Sequence, residues 1–319
     1  MTSHSEYIWY KLFKTEGVGS KTIHSIYNYI KNNNSENSEI NEKIILEFLN
    51  NKKKLLTNWN NIKDELCFSE YEKIIKKNIK IITLDSKNYP KQLINNLDTV
   101  APPLLFCGGK LDLLNALSIS IVGSRDVSKG GINFTKKISK ELALSGFNIV
   151  SGYAKGVDTL AHLAALENDG TTIFVLSYGL YDFKKKKDFL DVKWTNNILA
   201  LSEFSPESKW LASNAMIRNK TIVGLSNAVL VVQAGPEKDE KGNMSGTFNS
   251  GKTSLKYNIP LFVLTPSTVD NAKGNQSLID QGAIEINSDN ALEIIKKNLS
   301  KPVLKKNIEK QPTFKFDSD

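Results

Sequence analysis

Apolar positions recur at helical spacing through Tyr7-Ile8-Trp9-Tyr10-Lys11-Leu12-Phe13 and again through Ile44-Ile45-Leu46-Glu47-Phe48-Leu49, so residues 7–80 read as helical. Between them, Glu16-Gly17-Val18-Gly19-Ser20-Lys21 predicts a helix–turn–helix joint with Ser20 as an N-cap. Such a Gly-x-Gly joint serves either as a plain hairpin or, as in helix-hairpin-helix DNA binders, as a turn whose amides meet a phosphate. The polar stretch 31–39 reads as a loop. From about residue 79 the pattern changes. Short β-rich runs (79–84, 104–107, 119–122, 147–150, 172–176, 198–201, 228–232 and 261–264) alternate with helical segments at 129–144, 157–167 and 246–257. Several of these runs are apolar throughout, as expected for strands buried on both faces. The prediction is an α/β, Rossmann-like fold: a mainly parallel sheet with helices on both faces, preceded by a small all-α domain of the SAM or helix-hairpin-helix kind. The expected division is 1–78, 79–299 and a flexible, Lys-rich tail at 300–319.

Composition narrows the class without deciding it. The 319 residues are 40% hydrophobic and 24% charged, which excludes disordered and fibrous chains. No apolar run approaches the ~20 residues that cross a bilayer, and the first residues carry no basic-then-apolar leader pattern. Only Cys67 and Cys107 are present, too few for a disulfide framework or a thiolate zinc site, so a soluble protein of the reducing cytosol is expected. The net charge of +8 favours a polyanionic partner, but the excess is spread as three, three and two over residues 1–80, 81–300 and 301–319. Only two of the 42 cationic residues are arginines, Arg125 and Arg218. In so Lys-biased a chain, a retained arginine marks a place where the planar, bidentate fork matters, and phosphate is the anion it fits.

Three motifs lie where predicted strands end, and in this architecture ligands bind at those ends. Ile121-Val122-Gly123-Ser124-Arg125 combines a close backbone approach, a hydroxyl and a guanidinium, with the helix from Lys129 expected to add its amides. Ser151-Gly152-Tyr153-Ala154-Lys155-Gly156-Val157-Asp158, followed by His162, is a second glycine-rich turn. Its glycines are four apart rather than in the dinucleotide spacing, which argues against hydride chemistry. Asp158 and His162 are spaced to pair on one helix face and are expected to cap and brace the loop. Arg218-Asn219-Lys220, placed where a helix is expected to begin, reads as a second phosphate clamp.

Taken in order, these elements resemble one family. Tyr89-Pro90, Pro102-Pro103-Leu104-Leu105-Phe106, Gly-Ser-Arg at 123–125, Ser-Gly-x-Ala-x-Gly-x-Asp at 151–158 and Leu-Ser-Glu at 201–203 come first. Arg-Asn-Lys with Gly-Leu-Ser at 218–226, Ser245-Gly246-Thr247, Gly274-Asn275 and Gly282-Ala283 follow. The set resembles the DNA-processing protein A (DprA, or Smf) family over about residues 80–290. The resemblance implies a non-catalytic protein without a cofactor that binds single-stranded DNA, forms a homodimer and hands the strand to a RecA-type recombinase in natural transformation. It implies that Arg125 touches DNA phosphate, within a surface made of Gly123, Ser124, Arg125, Ser151, Gly152, Ala154, Lys155, Gly156, Arg218, Asn219, Lys220, Ser245, Gly246 and Thr247. There are departures. Phe183 runs into Lys184–Lys187 where the family has a Tyr-Pro element, and that run either extends the phosphate track or is a solvated face. Met244 replaces a basic residue, and the winged-helix domain of many members is not expected.

A rival signal is Gly246-Thr247-Phe248-Asn249-Ser250-Gly251-Lys252-Thr253, which satisfies the phosphate-loop pattern letter for letter. A nucleotide-binding protein or NTPase using this segment, or using the strand-edge pocket, is therefore the alternative. Against it, eleven residues separate the segment from the preceding strand, and the next apolar run, 261–264, ends in Thr265-Pro266 rather than in a magnesium-binding Asp. A nucleotide glycosidase is disfavoured because Gln233-Ala234-Gly235-Pro236-Glu237 lacks paired glycines.

Overall fold

The structure is a computed structural model that describes residues 4–33, 40–192, 194, 197–242 and 244–299. Five helices open the chain: α1 (His4–Lys14), α2 (Ser20–Asn33), α3 (Glu42–Leu49), α4 (Lys53–Asn60) and α5 (Asp64–Lys76). Most of the stretch predicted as a loop at 31–39, and the tail at 300–319, lie outside the described residues. The turn between α1 and α2 departs from the expected cap. Gly17 supplies a left-handed φ of 79°, but Ser20 Oγ donates to the carbonyls of Thr99 (3.3 Å) and Ala101 (2.8 Å) instead of capping its own helix. His24, one turn on, meets the same Ala101 carbonyl at 2.9 Å through Nε2. This joint docks the helices onto the rest of the chain.

Among the described residues nine strands form one sheet: β1 (Lys80–Thr83), β2 (Leu104–Gly109), β3 (Ser118–Val122), β4 (Asn148–Ser151), β5 (Thr172–Val175), β6 (Ile198–Ser202), β7 (Ala228–Val231), β8 (Leu261–Leu264) and β9 (Ile284–Ile286). Their order is β1-β2-β6-β5-β4-β3-β7-β8-β9. The pairs from β6 to β9 are parallel, and β1–β2 and β2–β6 are antiparallel. This bears out the mainly parallel α/β reading. Strands β3 to β8 are buried at every position, which is why they read as apolar runs rather than as alternating ones. Strand β9, with only one of its three residues buried, lacked such a run and escaped the sequence reading.

The helices of this part of the chain are α6 (Lys91–Leu97), α7 (Lys129–Leu144), α8 (Val157–Leu166), α9 (Ala212–Gly224), α10 (Gly246–Lys256), α11 (Lys273–Asp280) and α12 (Ala291–Leu299). One face of the sheet packs Ile119, Ile121, Leu230 and Phe262 against Phe134 and Ile138 of α7, Ala161 of α8 and Ile295 of α12. The other packs Val122, Val150 and Val229 against Ile222 of α9, Phe248 of α10 and Leu278 of α11. The amino-terminal helices join this second cluster, with Tyr10 and Phe13 edge-on to Phe106 of β2. The helical region and the sheet therefore share one continuous apolar core.

The topology sets the place of the site. From β3 the chain winds outward through β4 and β5 to β6, then returns to lay β7 on the opposite side of β3 and winds the other way to β9. Two crossovers leave in opposite directions from the carboxyl ends of β3 and β7, and between them opens the crevice where ligands bind in this class of fold.

Candidate nucleic-acid interface

A cleft of about 590 Å³ occupies that crevice. Its walls come from the turn after β3 (Gly123–Asp126), from Ala154 and Asp158 at the start of α8, from Met216, Arg218 and Asn219 on α9, and from Ser245–Thr247 at the start of α10. Gln233 and Gly235 close the side formed by β7, and Trp210, Ala212 and Met244 stand at the mouth. The loop after β7 is held by Asn275, whose Oδ1 accepts from Ala234 N at 2.7 Å. Its Nδ2 donates to the carbonyls of Val232 (2.9 Å) and Leu264 (2.8 Å). Beside it, a Cβ on Gly274 would collide with the Gly235 carbonyl. The late Gly274-Asn275 pair is thus a brace for the cleft wall.

Arg218 defines the floor. Its side chain is only 5% exposed, yet its Nε and Nη1 have no hydrogen-bond partner. Both of these nitrogens are sealed from the cleft, and leaving a buried charged donor unsatisfied is costly, so the guanidinium depends on the charge beside it. Buried Asp158 is the charge that most strongly stabilises the guanidinium against its burial. Burial pushes the Asp158 carboxyl above the ordinary range, against the pull of Arg218 and of the Ala154 amide, which donates to Oδ2 at 3.3 Å. The space for the guanidinium exists because residue 152 is glycine. A Cβ there would overlap Nη1, and it would lie 2.5 Å from Cζ and 2.6 Å from Asp158 Oδ2.

Arg125, by contrast, is exposed at the rim. It is shared between the cleft and an adjoining depression lined by Lys155, Gly156 and Lys186. Lys186 comes from the Lys184–Lys187 run, which is extended up to a short 3-10 turn beginning at Lys187. Its ammonium donates to the Tyr153 carbonyl and sits 4.2 Å from the Tyr153 ring centroid. Burial lowers its pKa. Three cations, Arg125, Lys155 and Lys186, therefore line a surface extending from the cleft toward α8, together with the carboxylates of Asp126 and Asp188. At the opposite wall α10 points its amino-terminal end into the cleft, with Ser245 as N-cap accepting from Phe248 N at 3.2 Å and a dipole that favours negative charge.

Of the residues singled out by the sequence, Gly123, Ser124, Arg125, Ala154, Asp158, Arg218, Asn219, Ser245, Gly246 and Thr247 all line the cleft. Gly152 lies directly beneath it, against Arg218. Ser151 also lies beneath, its hydroxyl spent on the Ile121 carbonyl at 2.6 Å. Lys155 and Gly156 belong to the adjoining depression. Lys220 lies off the cleft, on the part of α9 that faces Glu203, whose carboxyl it helps to stabilise. Helix α9 starts at Ala212 rather than near Arg218, so this motif presents a helix flank and not a helix amino terminus. The start of α7 is likewise closed: Ser128 caps Gly131 N, and a Cβ on Gly130 would strike the Thr268 carbonyl.

His162 and Asp158 do not pair. His162 is fully buried, with Nδ1 2.6 Å from Thr172 Oγ1, which itself donates to the Ile149 carbonyl. The imidazole therefore donates from Nδ1 and is neutral, its pKa driven well below the usual value by burial and by Lys186 and Arg218. It packs edge-on to Phe174, within the aromatic cluster that includes Tyr153 and Phe189. Ser124 Oγ is engaged with the backbone of Asp126, so no Ser–His–Asp relay is assembled. The phosphate-loop reading of 246–253 fails on geometry. These residues are continuous helix, and Lys252 pairs with Glu237 at 2.7 Å rather than facing an anion site. Among the described residues no cluster of three His, Cys, Asp or Glu side chains could hold a metal ion, and no helix is long and apolar enough to cross a membrane.

Residues 80–297 match the sequence profile of DNA recombination-mediator protein A. The chain belongs to that family. It is 35% identical over 247 residues to Protein Smf of Synechocystis, covering 75% of this chain and 58% of that protein. It is 36% identical over 201 residues to the DNA processing protein DprA of Streptococcus pneumoniae, covering 61% of this chain and 66% of that one. The chain thus spans less than two thirds of the length of either curated relative. The X-ray structure of DprA from S. pneumoniae superposes with a TM-score of 0.74 at 30% identity, covering 92% of this chain and 98% of that chain. A structure describing the single-stranded DNA binding mode of DNA processing protein A from Helicobacter pylori gives 0.57 at 29% identity, covering 69% and 97%. Trp210, Met216 and Gln233 were not singled out from the sequence as site residues. For Gln233 a signal existed, a polar residue ending an apolar strand at the switch point. Lone Trp210, within the polar segment that precedes α9, was a second.

Proposed function

We propose that this chain binds single-stranded DNA in the cleft between β3 and β7 and delivers it, as a homodimer, to a RecA-type recombinase during DNA processing. The observation that carries this reading is the convergence on one open cleft of Arg218 at its floor, Arg125 at its rim and the amino-terminal end of α10 at its opposite wall. A fork at the floor, a second at the rim, Lys155 and Lys186 beyond it and a helix amino terminus opposite can engage phosphate with no need of base identity. The H. pylori relative, described by its single-strand binding mode, supports the choice of polymer. Delivery to a recombinase and dimerisation rest on family membership. Nothing in the cleft calls for covalent chemistry, and its groups bind and orient an anion.

The test is fluorescence anisotropy of a labelled oligo-dT at two salt concentrations, with duplex DNA and ATP as competitors. Salt-sensitive binding that duplex competes for poorly is the expected result. Arg125→Ala should weaken binding to every sequence alike and flatten the log–log salt slope by about 0.7 for each phosphate that the variant no longer neutralises. An Arg125→Ala protein with the parent's affinity and slope would remove the site assignment. ATP displacing the strand would move the cleft to the small-nucleotide class.

A further inference from the structure

We propose that Trp210 is a stacking platform for an unpaired nucleobase of the strand whose phosphates the cleft holds, an inference that rests on the single-strand reading above. Trp210 is 52% exposed although it lines the same cleft as Arg125 and Arg218. Of the other tryptophans, Trp9 and Trp59 are almost completely buried and Trp194 is partly buried against Phe174 and Phe183, so Trp210 stands apart in leaving its indole half in water. Apolar surface left in water forfeits about 25 cal/mol per Å². No aromatic ring or cation among the described residues packs on the Trp210 face. The cleft surface beside it is apolar and soft, formed by Met216 and by Met244, itself 44% exposed.

One occupant fits this combination. A flat apolar surface beside fixed cations matches a polymer that alternates a charged group with a planar ring, and unpaired nucleic acid is that polymer. A duplex keeps its bases stacked inside and has no free ring to offer. The platform carries one polar atom, the indole N–H, so it accepts any base. The cations then supply affinity common to both forms of DNA, and Trp210 supplies preference for the unpaired one.

The experiment uses the full chain, its tryptophan emission and the anisotropy of two labelled strands of equal length, oligo-dT and a fully abasic strand. Because Trp210 is exposed, Trp210→Ala should leave the melting temperature unchanged, and Trp210→Phe keeps a ring in place. Oligo-dT should quench the parent's emission, and that quench should vanish in Trp210→Phe. Trp210→Ala should bind oligo-dT about five- to 150-fold more weakly, Trp210→Phe should retain most of the affinity, and the abasic strand should bind parent and Trp210→Ala alike. Equal weakening on both strands would overturn the proposal, since Trp210 would then act by shaping the phosphate cradle. Parent-like binding of oligo-dT by Trp210→Ala would overturn it while leaving the cleft reading intact, provided Arg125→Ala still weakens binding. A parent that binds neither strand overturns both. Emission that changes with protein concentration and not with oligo-dT would make this face an interface between copies of the chain and overturn the proposal.

Discussion

Replacing Gly152 by alanine adds one methyl group at the most crowded point of the cleft floor. The new Cβ would overlap Arg218 Nη1, and it would lie 2.5 Å from Cζ and 2.6 Å from Asp158 Oδ2. Gly152 does not have a left-handed φ, so alanine suits the backbone and the whole cost falls on the two charged side chains. Overpacking of this kind costs about 1–3 kcal/mol, a drop of roughly 2–10 °C in melting temperature for a protein of this size. The functional consequence should exceed the structural one. Arg218 must leave its slot to relieve the overlap, and losing a charge-assisted hydrogen bond to phosphate costs about 1.5–3 kcal/mol, or roughly 10- to 150-fold in affinity for oligo-dT. The decisive assay is a double-mutant cycle read by both anisotropy and thermal denaturation. Gly152→Ala and Arg218→Ala should each weaken binding, and the double variant should bind no worse than Arg218→Ala alone. Its melting temperature should exceed that expected from adding the two single decrements, because the larger overlap is gone. If the two affinity decrements add, the glycine is not there to house the arginine, and the empty Cβ position has some other cause.

Three further outcomes are expected. Lys252→Ala should change oligo-dT affinity and melting temperature little, because its pair with Glu237 is half-exposed on both sides and such pairs contribute about 0–1 kcal/mol; a collapse of binding would restore the phosphate-loop reading. Asn275→Ala should lower the melting temperature by several degrees, since it strands Ala234 N and the Val232 and Leu264 carbonyls in the interior, and parent-like stability would show that Asn275 braces nothing. His162→Gln should reduce acid sensitivity. The folded-state pKa of His162 lies well below the ordinary histidine value, so its burial costs no protonation energy above about pH 6.5 and progressively destabilises the fold as pH falls below it. The melting-temperature advantage of the parent over the variant should shrink between pH 7.5 and 5.5, and a constant difference would refute the neutral, buried imidazole.

The parallel sheet was legible because its strands are buried on both faces, and burial on both faces leaves uninterrupted apolar runs such as Ala228–Val232. Strand β9 was not, because only Ile286 of its three residues is buried. The start of α9 was missed for a related reason: Ala212-Ser213-Asn214-Ala215 has no apolar stripe, since this first turn is largely exposed and borders an open cleft instead of a core. That single error moved Arg218 from mid-helix to a supposed helix start and made Lys220 look like its partner. Spacing can say that two residues share a helix, but only the surrounding packing says toward what each one turns. The same limit applied to Asp158 and His162. Four residues apart, they are free to meet, and instead one turns toward Arg218 and the other toward Thr172 and the Phe174 ring.

On the proposed function, the two arginines of this Lys-biased chain divide one task by burial. Arg125, exposed and shared by two depressions, acts through water and mobile counterions, so its contribution should fade as salt rises. Arg218 is desolvated already, and its energetic cost is met on folding by the surrounding core and by Asp158. An anion reaching it gains an interaction in a low-dielectric setting with little reorganisation left to oppose it. Lysine would serve poorly at either place. At the floor, a strongly hydrated ammonium would resist burial and shift toward its neutral form, and at the rim it would lack the planar fork that spans two phosphate oxygens. The scarcity of arginine is then itself the signal. Lysine supplies 40 of the 42 cationic side chains, and on the proposed function the two arginines stand where a planar fork would meet phosphate.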